Sequence, residues 1–308
     1  MIRVENLVKN YNDVKAVRSI SFEVHDGEIL GFLGANGAGK STTLKILSGY
    51  LSQTSGDVYI NDLNIREDSL EVRNQIGYLP ELNPLYPDMR VYDLLEFVAK
   101  IRDIKGKAFK QALARVIEQC GLSGIVHKRI GECSKGYKQR TGLAMAMIHD
   151  PKILFLDEPV SGLDPNQIVE IRELIKNLGQ EKIVMMSSHI LQEIQATVNR
   201  MIIIHNGEIV ANGTNEELMS NFKGRTQLTM EVKNAKEKNL NALNEKVDGI
   251  TILKIEKNSS GHHISLEYEQ SVDPREDLFK YALKSKWTII EMSPHKANLE
   301  DIFRTLTI

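Results

Sequence analysis

Apolar and polar residues alternate from Val17 to Val24, and Ile29-Leu30-Gly31-Phe32-Leu33 follows as an almost unbroken apolar run. Alternation predicts a half-buried strand and the continuous run a buried one, with Asp26-Gly27 as the turn between them. Leu44-Lys45-Ile46-Leu47, closed by Gly49, reads as a short helix. Asp57 to Ile60 and Ile76 to Leu79 read as further strands. The texture then changes. Leu82 to Arg90 carries Pro84 and Pro87 and opens a helical stretch ending near Cys120. Within it Phe109, Leu113, Val116, Ile117 and Cys120 share one helical face, and Gly121 stands where a C-cap belongs.

A second helix is expected from Gly136 to His149, ahead of Pro151. Beyond it strands alternate with a helix: Ile153 to Leu156, a helix striped by Ile168, Ile171, Ile175 and Leu178, then Ile183 to Met186 and Met201 to Ile204. Asn206-Gly207 is a hairpin turn. A helical insert over about 82–150 inside a mixed α/β core is therefore expected for residues 1–222.

From 223 to 308 a separate rhythm predicts a small accessory α+β domain. Strands are expected at Gln227 to Val232, Ile250 to Ile255, Ile264 to Tyr268 and Trp287 to Met292. Helices are expected at Leu240 to Val247, Asp273 to Lys286 and Leu299 to Leu306, with a turn at Asn258-Ser259-Ser260-Gly261. The order β-α-β-β-α-β is that of a ferredoxin-like unit.

A chain of 308 residues suits about two domains. Its formal net charge of −2 gives no global basic field, so no nucleic-acid partner is expected. Two cysteines, Cys120 and Cys133, lack metal-ligand spacing and fit a reducing compartment. No apolar run approaches the ~18 residues of a membrane-spanning helix, and Met1 to Asn6 has no signal core. The expectation is a cytosolic chain, or one held at a membrane by a partner.

The chemistry sits in Gly34-Ala35-Asn36-Gly37-Ala38-Gly39-Lys40-Ser41-Thr42, which fits G-x-x-x-x-G-K-[ST] between the buried strand and the short helix. Gly34, Asn36, Gly37 and Gly39 let backbone N–H groups curl inward around phosphates, at a helix N-terminus that favours anions. Lys40 reaches the β- and γ-phosphates, and Ser41, followed by Thr42, supplies a hydroxyl for Mg²⁺. The apolar strand Ile153 to Leu156 ends in Asp157-Glu158, at a sheet edge beside that loop. Asp157 is expected to hold Mg²⁺. Strand alternation would turn Glu158 to the opposite face to polarise an attacking water.

Three further elements, Ser134-Lys135-Gly136-Tyr137-Lys138-Gln139-Arg140, Ser161-Gly162-Leu163-Asp164 and Ser187-Ser188-His189, occur in order around the acidic strand. With the phosphate loop, they make residues 1 to about 222 resemble the nucleotide-binding domain of ATP-binding-cassette (ABC) proteins. The resemblance implies a P-loop NTPase fold, ATP and Mg²⁺ as ligands, and ATPase activity. It implies Glu158 as catalytic carboxylate and His189 as the switch histidine at the γ-phosphate. Ser134 and Gly136 match the signature that reads the γ-phosphate held by a second protomer, and Asp164 the loop spanning that interface. A homodimer or pseudo-dimer of cassettes is thereby implied. Tyr11 matches the aromatic that stacks on adenine.

Departures from the family pattern are confined. The signature reads Cys133-Ser134-Lys135-Gly136-Tyr137 where Leu-Ser-Gly-Gly-Gln is usual, and Val160 replaces a common Thr or Ser. Glu81 stands where the Q-loop usually has glutamine, and a carboxylate there is a further Mg²⁺ ligand. The segment Glu81 to Tyr86 and the ending Leu299 to Phe303 are similar to those of ABC-2-type exporter ATPases of the gliding-motility and multidrug type. That resemblance implies a separate transmembrane permease and a peripheral location on the cytoplasmic face of a membrane. A soluble ABC ATPase of translation or DNA maintenance is the alternative; an importer subunit and a small-molecule kinase are weaker ones.

Overall fold

The computed structural model describes residues 1–221, 226–236, 239–240, 242–257, 261–269, 273–295 and 299–307. The expected 222/223 boundary and residues 258–260 of the expected turn lie outside them. The chain divides into two compact units, one built on Met1–Asn215 and the other on Glu216–Thr305.

In the first unit the strands β1 (Ile2–Tyr11), β2 (Val14–Val24), β4 (Ser55–Ile60) and β5 (Leu63–Asn64) form an antiparallel sheet in the order β2-β1-β4-β5. A six-stranded sheet runs β10-β9-β3-β8-β7-β6. Its members are β3 (Ile29–Leu33), β6 (Ile76–Leu79), β7 (Ile153–Leu156), β8 (Ile183–Ser188), β9 (Arg200–His205) and β10 (Glu208–Gly213). All pairings among β3, β6, β7, β8 and β9 are parallel, and only β10 pairs antiparallel. The strands β3, β7 and β8 are buried at every position, as expected where both faces of a parallel sheet are covered. Leu30, Phe32, Phe155 and Met185 from this sheet pack with Val4, Phe22, Leu44 and Ile60 in one apolar core.

The insert between β6 and β7 comprises α3 (Val91–Ile101), α4 (Gly106–Gln119) and α5 (Lys135–Met147). The expected single helical stretch from Leu82 is corrected here: residues 82–90 are not helical, and a break separates α3 from α4. Pro84 and Pro87 lack the N–H that a helix interior needs. At the break, Asp103 takes φ of 57° and Gly106, the first residue of α4, takes 58°, both in the left-handed region, so the chain turns before the second helix winds on. Gly121 caps α4 with φ 62° and its N–H on Glu118 O at 3.2 Å, as its position predicts.

The second unit contains strands Thr226–Lys233, Ile250–Lys257, His262–Tyr268 and Thr288–His295 in one antiparallel sheet. Numbered within the unit, the spatial order is 2-3-1-4, and the helices Leu243–Lys246 and Arg275–Lys284 join strands 1 to 2 and 3 to 4. This is the ferredoxin-like arrangement. Leu228, Met230, Val232, Ile264 and Leu266 from alternate strand positions pack against Leu278, Ala282 and Trp287.

Candidate functional site

Parallel pairing brings the carboxyl ends of β3, β7 and β8 to one edge of the sheet, the edge where α/β proteins bind ligands. Register sets Leu33 beside Ser188 and Leu156 beside Met186. The residues just beyond these strands are the phosphate loop, Asp157-Glu158 and His189. They meet because of the register, not because of sequence proximity.

The loop leaves β3 at Gly34 and enters α1 (Lys40–Leu47) through Gly39, the helix N-cap, at φ 110°. A side chain at Gly34 would put its Cβ 2.4 Å from the Ile204 carbonyl oxygen, so only glycine fits between the loop and β9. Asn36 and Gly37 form the exposed crest, with Gly37 at φ 81°. Thr42 lies in the first turn of α1. Lys40 is almost fully buried; its Nζ donates to Gly34 O at 2.8 Å and Ala35 O at 3.2 Å. It also lies 3.6 Å from Glu158 Oε1. Burial pushes its ammonium below the usual lysine range, opposed by the charges of Glu158 and Asp157.

Asp157 Oδ1 accepts from Ser41 Oγ at 2.9 Å and from Ser187 Oγ at 2.7 Å. Glu158 does not follow strand alternation, and the expected opposite-face geometry is corrected. The strand stops at Leu156, and Glu158 bends through φ 49°. Both carboxylates therefore face the phosphate loop, Asp157 at Ser41 and Glu158 at Lys40. His189 Nδ1 lies 3.0 Å from Glu158 Oε2, and this ring is partly exposed. The adjacent Ser188 Oγ donates to the buried Glu193 at 2.5 Å and accepts from Ile190 N at 3.0 Å, which anchors the turn carrying His189. Burial pushes the Glu193 carboxyl above its usual range.

Glu81 follows β6 and is exposed on the rim of a cavity of about 590 Å³ that Asp157 also lines. Its charge is felt at Lys40. Hard oxygens from Ser41, Asp157 and Glu81 thus border one region. They fit Mg²⁺, which keeps several waters and is bound through one or two carboxylates together with the phosphates of its substrate. Among the described residues no group of three or more His, Cys, Asp or Glu side chains forms a self-sufficient metal cage. Tyr11 is exposed at the end of β1, its ring 5.1 Å from Lys9 Nζ, and β2 carries Ala16 past the loop at Gly39.

Ser134 and Asp164 form a second cluster. Ser134 caps α5 and accepts from Tyr137 N; Asp164 caps α6 (Pro165–Gly179) and accepts from Gln167 N at 2.9 Å. Gly136 packs so tightly on Gln167 that an added Cβ would lie 2.7 Å from its Cδ. Among the described residues no hydrogen bond or ion pair joins Ser134, Gly136 or Asp164 to Lys40, Ser41, Asp157 or Glu158. Cys120 and Cys133 are buried and free, and burial pushes the Cys120 thiol up to about 12.

Residues 17–161 match the ABC transporter family. The linearmycin resistance ATP-binding protein LnrL of Bacillus subtilis is 31% identical over all of this chain and 98% of its own length. The chain belongs to the ABC transporter ATP-binding family. The bacitracin transport ATP-binding protein BcrA of Bacillus licheniformis is 39% identical, over 68% of each chain. A solved ATP-binding subunit of an ABC transporter superposes with TM-score 0.65 at 27% identity, covering 72% of this chain and 93% of that one. A dimeric cassette in a post-hydrolysis state with ADP and Pi shares the fold, with TM-score 0.64 at 23% identity over 70% of this chain and 98% of that one. This ABC subunit binds and hydrolyses ATP. Val160, the departure after Asp157-Glu158-Pro159, is fully buried and serves packing.

Ser187 and Ser188 enter the sequence pattern only as the residues ahead of His189, and Glu193 and Gln167 have no place in it; all four join the site by contact. Their one local signal is the pair of hydroxyls closing the apolar strand Ile183 to Met186.

Proposed function

We propose that this ATPase energises export through a separate membrane-embedded permease, by closing on a second cassette with ATP and Mg²⁺ between them. The observation that carries the reading is the convergence of Lys40, Ser41, Asp157, Glu158 and His189 at one sheet edge. Lys40 neutralises phosphate charge, and Ser41 and Asp157, with Glu81, would hold Mg²⁺. The ion supplies charge neutralisation on the phosphate oxygens. Glu158 orients a water for in-line attack and takes its proton, while His189, held by Glu158, contacts the γ-phosphate. Tyr11 would stack on adenine.

On this reading the Ser134–Asp164 cluster of one chain closes on the ATP held by the phosphate loop of the other. Mixing Lys40→Ala with Ser134→Arg chains leaves one composite site intact in the mixed dimer, the other carrying both lesions. The expected result is ATP-driven dimerisation in the mixture, absent from either parent, read by sedimentation. Wild-type and Glu158→Gln proteins that stay monomeric with ATP would count against the shared site.

Export is supported by the linearmycin-resistance and bacitracin-transport names of the relatives. No helix among the described residues is long and apolar enough to cross a membrane, and the reading assigns that role to a separate permease. The peripheral site on the cytoplasmic face follows from that partner. Support for docking comes from the cavity beside Glu81, lined also by Tyr78, Leu82, Pro84, Val98, Arg102 and His149. Leu82 is 86% exposed and nearby Tyr86 55%. Tyr78 OH and His149 Nδ1 are buried and have no hydrogen-bond partner among the described residues. A buried polar atom left unpaired costs about 1–3 kcal/mol, so an occupant bringing hydrogen bonds and an apolar face is favoured. Tyr86→Asp is expected to release the protein from permease-containing membranes with basal ATPase within about two-fold of wild type. Retained membrane binding and transport would exclude this segment as the dock.

A further inference from the structure

The strand β7 ends in a bend that its own residue type resists. Glu158 sits at φ 49°, the left-handed region that a side chain with a Cβ disfavours, and such strain persists only where surroundings hold it. Across the sheet, the register that sets Leu156 beside Met186 brings Ser187 beside Asp157 one step further on. Ser187 has no exposed surface, so no bulk water competes for its hydroxyl. That hydroxyl accepts from Glu158 N–H at 2.9 Å and donates to Asp157 Oδ1 at 2.7 Å. One side chain thus grips both carboxylate-bearing residues, while Ser41 Oγ shares the same Asp157 oxygen.

We infer that Ser187 is a positioning residue for ATP hydrolysis: its hydroxyl holds the Glu158 bend and fixes the orientation of the Asp157 carboxylate. The inference rests on the catalytic reading of Glu158 and Asp157 given above. Geometry distinguishes this role from simple satisfaction of a buried strand end. An ordinary strand end pairs its N–H with a neighbouring backbone carbonyl. Here the N–H belongs to a residue turned out of the ladder, and its partner is the hydroxyl that also orients the adjacent acid. Removing the hydroxyl frees Glu158 to relax from its strained conformation, away from Lys40 and His189. It also leaves Asp157 with Ser41 as its remaining hydroxyl partner among the described residues.

Ser187→Ala and the space-filling Ser187→Cys test this, the second keeping the experiment decisive if the first folds poorly. Loss of a hydrogen bond to a charged group predicts a fall in kcat of roughly 10- to 100-fold. A second readout does not depend on turnover. In a Glu158→Gln background, ATP affinity is measured calorimetrically with excess Mg²⁺ and again with EDTA. The expected result is a roughly ten-fold or greater loss of Mg²⁺-ATP affinity with metal-free ATP affinity within about two-fold. Equal loss under both conditions would mark a purely structural hydroxyl and overturn the inference. So would turnover within two-fold of wild type in a folded Ser187 variant. Should Glu158→Gln alone retain turnover, the underlying catalytic reading fails instead, and the two failures are told apart by that control.

Discussion

Replacing Glu158 by Gln is expected to lower ATP turnover by on the order of 10²-fold or more while ATP remains bound. The substitution keeps side-chain length and the contact distance to His189 but removes the negative charge beside the phosphate loop. Lys40, 3.6 Å away and buried with it, then loses the neighbour that offsets its own desolvation. Its attraction for the phosphates of ATP is undiminished, so ground-state binding persists. The measurement is steady-state phosphate release beside ATP-dependent sedimentation, and the variant should accumulate as an ATP-bound dimer. Hydrolysis at near wild-type rate would remove Glu158 from the catalytic role.

Lys40→Ala should act on binding and chemistry together. Its ammonium donates to the carbonyls of Gly34 and Ala35 at the mouth of the loop, a geometry that delivers the charge to where phosphates lie. A charge-assisted hydrogen bond is worth about 1.5–3 kcal/mol, so ATP affinity should fall by roughly ten-fold or more. Turnover should fall by a further factor on the order of 10², the scale of losing one preorganised group that stabilises transition-state charge. Calorimetric titration with ATP, read beside turnover, separates the two effects. Full affinity and full turnover in Lys40→Ala would overturn the phosphate-loop assignment.

These two residues were legible because the patterns that carry them are local. The nine residues from Gly34 to Thr42 encode a strand exit, a glycine-permitted curl and a helix start within one short window. The four apolar residues before Asp157 encode a buried strand whose end must reach a sheet edge. The accessory unit was legible for the same reason: alternating Leu228, Met230 and Val232 declare a one-faced strand, and the order of elements follows. Less legible was residues 82–90, where apolar Leu82, Leu85, Tyr86 and Met89 mimic helical content while two prolines forbid it.

The sequence by itself determined the phosphate loop, the acidic strand end, the buried strands of the sheet and the existence of a second, α+β unit. Each depends on residue types within a few positions of one another. Only the tertiary structure decided that Glu158 leaves the strand in a left-handed turn and faces Lys40 rather than the opposite side of the sheet. It alone decided that Ser187 grips both acids, that His189 reaches Glu158, and that Gln167 fills the space Gly136 leaves. Those contacts span 29 to 31 residues between Glu158 or Asp157 and the β8 end, and the same separation between Gly136 and Gln167. They follow from which strands pair and in which register, a property of the packed sheet that no local window contains.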